Sequence, residues 1–284
     1  EPGDGIVLQR PIYYPFTNKA NSNGRIPVDN ALIYENGAYR IDFEDLDRKM
    51  ADPANKVLVV CSPHNPTGRV WTEDELKKTV EICKKYDKWI ICDEIHCDLI
   101  RRGVTFTPIM NVAPEYADRI VVCTAPSKTF NLAGLVGSYH IAYSPWIRDR
   151  MEKECSLSHY DSMNVLSMHA LIAAYSPEGS EWADELCAVL AGNIDFACNY
   201  IKTRFDGVEV TKPEGTYILF ADCTKWCEAH GKTIDDVERA CWDVGVAVQD
   251  GRQFHGPCHI RMNLALPTAR VEEAMQRLKD YVFV

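Results

Sequence analysis

An asparagine, an aspartate and a lysine each stand just behind an apolar run of this chain. "VLVVC" (Val57–Cys61) leads to Asn65, "WIIC" (Trp89–Cys92) to Asp93, and "IVVC" (Ile120–Cys123) to the loop that holds Lys128. Runs of this kind read as buried strands. In open α/β sheets, ligands bind beyond the carboxyl ends of the strands. An amide, a carboxylate and an amine would therefore converge on one crevice. The amine can add to a carbonyl, the carboxylate can hold a proton on a ring nitrogen, and the amide can hydrogen-bond a ring hydroxyl oxygen. Singly, each has an ordinary reading: Asn-Pro starts turns, an acid after a strand caps helices, and loop lysines are solvated.

These positions require a sheet whose strands point the same way. Ile6–Leu8 and Val136–Ser144 read as further strands, and Asp42–Met50 and Glu73–Tyr86 as helices, the second capped by Thr72 with Leu76, Val80 and Cys83 at helical spacing. Strand–helix alternation implies an α/β fold with a mostly parallel sheet. After Pro145 the texture changes to long helical patterns over Trp146–Cys155, Ser162–Tyr175 and Glu181–Phe205. "SPEGS" (Ser176–Ser180) reads as a hinge, dividing a large domain, residues 1–178, from a smaller C-terminal α+β domain, residues 179–284. The smaller part mixes strands (Tyr217–Ala221, His259–Ala265) with helices near Ile234–Val244 and Ala269–Tyr281.

A chain of 284 residues is long enough for one large and one smaller domain. Its formal charge of −10, with no cluster of Lys and Arg, argues against a nucleic-acid or anionic-membrane partner. No apolar run reaches transmembrane length. None of the twelve cysteines forms a CxxC pair, and several sit in apolar runs, which suits a reducing cytoplasm better than a disulfide framework.

Taken together, the amine, acid and amide are the groups that a pyridoxal 5'-phosphate site requires. The motifs "SPHNPTGRVW", "ICDEIHCDL" and "APSKTFNLAGL" resemble those of the fold type I pyridoxal phosphate enzymes of the class I/II aminotransferase superfamily. More narrowly, they are similar to the cystathionine β-lyase branch of the MalY/PatB type, the C–S lyases. The resemblance runs in order from "PIYYPF" (Pro11–Phe16) to "HIRMNLALP" (His259–Pro267). It implies an aspartate aminotransferase-like fold in which Lys128 forms the Schiff base with the cofactor and shuttles protons. Asp93 would partner the pyridine nitrogen, Asn65 the ring hydroxyl oxygen, and Tyr13 would stack on the ring. Arg261 would clamp the α-carboxylate of an amino-acid substrate. Alternation of His259, Arg261 and Asn263 with apolar residues places Arg261 on a polar strand face.

His96 stands where aminotransferases of this class commonly carry tyrosine, and "DEIH" is the form of the lyases. Val136 takes the place of a common phosphate-binding arginine and Ala125 that of a small hydroxyl residue, leaving Ser127 as the candidate in this loop for the phosphate. The resemblance also implies a helix N-terminus for the phosphate, the start of the small domain, and a tyrosine reaching into a partner subunit. All would lie upstream of "EPGDG", so the chain reads as the remnant of a longer homodimeric enzyme. β-Elimination from a sulfur amino acid is the expected activity, with an aminotransferase and a non-catalytic interaction module as alternatives. His64, His140, His159 and His169 lack metal-ligand spacing, "HGPCH" (His255–His259) reads as a loop, and Arg148–Glu154 as a solvated helical face. The aromatics near Tyr160–Tyr175 sit at core spacing.

Overall fold

The computed structural model describes residues 1–160 and 162–284. A six-stranded sheet organises the first part, built from β1 (Gly5–Arg10), β2 (Ile26–Ala31), β5 (Asn55–Cys61), β6 (Trp89–Asp93), β7 (Ile120–Thr124) and β8 (Tyr139–Ala142). Their order is β2-β1-β5-β6-β7-β8, parallel throughout except for the antiparallel edge strand β8. A small hairpin of β3 (Ile33–Glu35) and β4 (Ala38–Arg40) turns at Asn36-Gly37, both at positive φ. The Asn-Gly pair carries that turn in the sequence.

Helix α1 (Tyr14–Ser22) follows β1, and α2 (Phe43–Ala51) and α3 (Glu73–Lys85) cover one face of the sheet. Asp42 caps α2, and Thr72 caps α3 in a capping box with Glu75, each worth about 1 kcal/mol. Leu46, Met50, Leu76, Val80 and Cys83 from the two helices pack on Val7, Leu58, Val60, Ile90, Cys92 and Val122. Parity then fixes the other face: Asp93 at the end of β6 stands in register with Cys61 on β5 and Cys123 on β7.

Beyond β6, a short α4 (Ile109–Val112) and a 3₁₀ turn lead to β7. α5 (Pro145–Ser158) and α6 (Val165–Ala174) come next, then α7 (Pro177–Arg204), which Ser176 caps. The "SPEGS" segment is thus the first turn of a long helix. The C-terminal part comprises β9 (Glu209–Val210), α8 (Thr224–His230), α9 (Ile234–Asp243), β10 (Ile218–Asp222), β11 (Gln249–Asp250), β12 (His259–Asn263) and α10 (Thr268–Tyr281). Its strands form an antiparallel sheet ordered β11-β12-β10-β9. Ile194, Ile201, Leu219, Val237, Ile260 and Leu278 lie in its separate core.

Two expectations change. The aromatics Tyr160 and Tyr175 are not core but exposed, as are Val165, Leu166 and Ile172 of α6, a helix apolar on most sides on which little of this chain packs. The strand expected over Val136–Ser144 starts only at Tyr139, since Val136 adopts a left-handed conformation, φ +56°, that ends the preceding 3₁₀ turn.

The loop after β5 is the most constrained joint between the two parts. Gly68 sits at φ +72°, and an added Cβ would meet Pro213 Cβ at 2.5 Å and its Cα at 2.9 Å. Gly68→Ala should therefore destabilise the fold by about 2 kcal/mol or more, through backbone strain and overpacking. Urea denaturation measures this; a loss below about 0.5 kcal/mol would show that the joint yields freely.

Candidate active site

The loop that carries Asn65 is braced from several sides. His64 N–H donates to Arg69 O and Gly68 N–H to His64 O, both at 2.7 Å, closing the loop on itself. The His64 ring is fully buried, meets Thr67 Oγ1 at 2.9 Å and Gln9 O at 3.2 Å, and is driven down to about 4 by burial. It is a structural histidine. Arg69 then forks two ways, to Glu75 of α3 (2.8 and 2.9 Å) and to Glu214 (3.0 Å to each oxygen). Both Ser62-Pro63 and Asn65-Pro66 are cis.

The loop after β6 is tied to the same neighbour. Thr216 N–H donates to Leu99 O at 2.8 Å and Arg101 N–H to Glu214 O at 2.9 Å. The Lys128 loop is a tight turn, Phe130 N–H bonding Pro126 O and Leu132 N–H bonding Ser127 O. Thr129, next to Lys128 and buried, donates to Asp98 Oδ2 at 2.8 Å and so fastens the turn to the β6 loop.

Tyr13, Asn65, Asp93, His96, Ser127 and Lys128 all line a single cavity of about 260 Å³. Arg261 is not among its lining residues. It sits at the margin, where its charge acts on Tyr13 and on His96. Ser138, absent from the sequence reading, lines the cavity with Gly137 and Val136. Its only signal was a hydroxyl beside a glycine ahead of a strand.

Electrostatics set the site apart from a packed loop cluster. Burial pushes the Asp93 carboxyl up to about 6, against the Ile95 N–H (3.0 Å) and the charge of Lys128, which act the other way. Burial also takes His96 down to about 3, with the charges of Lys128 and Arg261 adding to it. His96 is therefore a neutral ring at ordinary pH. Asn65 Oδ1 and His96 Nδ1 are buried without a partner, a costly condition that a bound ligand relieves. The Arg261 guanidinium donates through Nη1 to Gln249 Oε1 at 2.7 Å and lies 5.1 Å from the Phe254 ring centre. Its Nε has no partner, and among the described residues no carboxylate pairs with it.

A pyridoxal phosphate group fits this set. The cavity offers an amine, an acid across from it, an unpartnered amide and an aromatic ring, with the hydroxyls of Ser127 and Ser138 at hand for a phosphate. No group of three or more metal-ligating side chains exists among the described residues.

Fold and site together define an aspartate aminotransferase-like, pyridoxal phosphate-dependent α/β enzyme. The family model for aminotransferase class I and II matches residues 1–278, and the chain belongs to that family. The chain is 33% identical over 282 residues to cystathionine beta-lyase PatB of Bacillus subtilis, covering 98% of this chain and 72% of that protein. It is 30% identical over 285 residues to protein MalY of Escherichia coli, covering 98% and 70%. The structure of cystalysin from Treponema denticola, which contains pyridoxal 5'-phosphate, superposes with a TM-score of 0.91 at 33% identity, over 98% of this chain and 70% of that one.

The raised Asp93 pKa has a consequence for stability. Its folded value near 6 exceeds the ordinary carboxylate value near 3.9. The cofactor-free fold therefore binds an extra proton between these values and loses stability as pH rises from about 4 to about 6. Asp93→Asn removes that loss. The cofactor-free variant should be about 3 kcal/mol more stable than the parent at pH 7 and level with it near pH 4. Denaturation curves at the two pH values check this; equal stability at pH 7 would mean that Asp93 ionises without cost.

Proposed function

We propose that this protein is a pyridoxal phosphate-dependent C–S β-lyase that cleaves L-cystathionine and L-cysteine-type substrates to a thiol, pyruvate and ammonia. The observation that carries the reading is the single cavity gathering Lys128, Asp93, Asn65 and Tyr13 beside unpartnered polar atoms. The relative PatB, named a cystathionine beta-lyase, supports the reaction class.

When bound, pyridoxal phosphate supplies an electrophilic carbonyl carbon and a ring that delocalises negative charge. The chain's own residues do the rest. Lys128 Nζ is the amine that would hold the cofactor and that a substrate amine would free. The Arg261 fork binds the substrate α-carboxylate and so fixes Cα. Freed Lys128 Nζ removes the proton from Cα, and the sulfur on Cβ leaves with the C–S electron pair. Asp93 would keep a proton on the ring nitrogen, Asn65 would hydrogen-bond the ring hydroxyl oxygen and Tyr13 would cover the ring face. His96 stays a neutral wall of the site, and Ser127 is the hydroxyl that would bind the phosphate. Water then hydrolyses the three-carbon product to pyruvate and ammonia.

We also read residues 1–178 as the cofactor-bearing domain and 179–284 as the second domain, supported by two separate apolar cores, one within residues 7–122 and one within 194–283. A homodimer is part of the same proposal. The exposed apolar side chains of α5 and α6 give a second copy a surface to cover. Cytoplasmic residence suits the twelve free cysteines. Among the described residues no helix is long and apolar enough to cross a membrane.

Reduction of the holoenzyme with borohydride, followed by peptide mapping, should place the cofactor on Lys128; a label on another lysine would sink the site. Lys128→Ala and Asp93→Asn should each lower pyruvate release from L-cystathionine about a thousandfold. Amine transfer to a keto acid, without pyruvate, would favour the aminotransferase reading instead. Sedimentation should give twice the chain mass, and Leu166→Glu with Ile172→Glu should shift it to the monomer.

A further inference from the structure

We propose that Gln249 is a positioning residue that sets the strength of the carboxylate clamp at Arg261, a step that rests on the reading of Arg261 above. Gln249 of β11 is the cross-strand partner of Arg261 on β12, and its Oε1 accepts from Nη1 at 2.7 Å. Arg261 is half-buried, and its pKa is lowered by burial, against which the phenols of Tyr217, Tyr13 and Tyr14 act. A buried guanidinium normally finds a carboxylate. Among the described residues the chain presents to it a neutral amide, which orients one nitrogen and adds no counter-charge.

The supporting framework makes the amide's position definite. Asp250 Oδ1 accepts from Arg252 N–H at 2.8 Å, and the Arg252 side chain pairs with both Asp250 and Asp235. The 3₁₀ turn that follows ends at Phe254, whose carbonyl accepts the Ile12 N–H at 3.1 Å, one residue before Tyr13. Phe254 is fully buried and its ring lies under Arg261. The guanidinium is thus held on one face by Phe254 and on one edge by Gln249. Its unpartnered Nε is left for an incoming anion. A neutral acceptor at 249 gives orientation without competing for the charge that the substrate carboxylate needs.

The test compares S-ethyl-L-cysteine with its carboxamide, which lacks the carboxylate charge, on the holoenzyme. Gln249→Glu introduces a resident carboxylate. It should raise KM for the acid about ten- to a hundredfold with kcat within about threefold, and leave the carboxamide unaffected. Gln249→Ala loses only the orientation and should raise KM for the acid about threefold to tenfold. The dissociation constant of glycine, read by thermal shift, should follow the same order. An unchanged KM in Gln249→Glu, or equal effects on acid and carboxamide, overturns the inference. Arg261→Lys separates the two layers. If it removes the preference for the acid while Gln249→Glu does not, the clamp stands and the role of Gln249 falls. If it leaves that preference intact, the clamp itself is wrong and both fall.

Discussion

A carboxylate at the end of a buried parallel strand is the constraint on which the site depends. Asp93 is carried by β6, the strand between β5 and β7, and the register fixes its neighbours as Cys61 and Cys123. Neither thiol side chain brings an opposite charge to the carboxylate. Burial therefore dominates and holds the acid near 6, with the Ile95 N–H and the charge of Lys128 acting the other way. An amide oxygen without a bond, a neutral imidazole and an aromatic ring line the same cavity as Asp93 and Lys128. A protonated ring nitrogen would supply the charge that the strand end lacks.

Geometry at this site comes from loops, and the loops are stiff because they are fastened to one another. The β5 loop is closed on itself and locked to residues 213–215, and the β6 loop bonds the same stretch. The Lys128 turn is fastened to the β6 loop through Thr129 and Asp98. Three strand ends thus act as one rim, with the segment before β10 wedged against it. This explains how residues sixty positions apart can hold a common geometry without direct contact between their side chains.

Much of this was legible in the sequence because parallel strands announce themselves. The runs before Asn65, Asp93 and Lys128 are continuous and apolar, so the strand ends, and with them the crevice, could be placed without knowing the pairing order. Arg261 was legible only through alternation on β12. Its partner Gln249 was not, since β11 is two residues long and too short to show any period. Ser138 was hidden for a related reason: the left-handed turn at Val136 detaches it from the strand that the sequence pattern suggested. The β3–β4 hairpin carried an Asn-Gly signal that went unused. α6 shows the opposite limit, for an apolar helix declares that something must cover it without declaring what does.

Glu75 carries more than one duty on a single carboxylate. Its Oε2 accepts from the Thr72 backbone N–H at 2.9 Å and from the Thr72 hydroxyl at 3.1 Å, while the same group takes the Arg69 fork. Arg69 in turn is shared with Glu214, which also receives the Val70 N–H at 2.9 Å. Residues 69, 72, 75 and 214 therefore form one mutational unit, whose members belong to a loop, a helix cap and a remote segment. Changes among them should combine non-additively, because the first loosens the partner that the second relies on. A change at any one of the four therefore reaches both the start of α3 and the rim of the site, which share a single set of bonds.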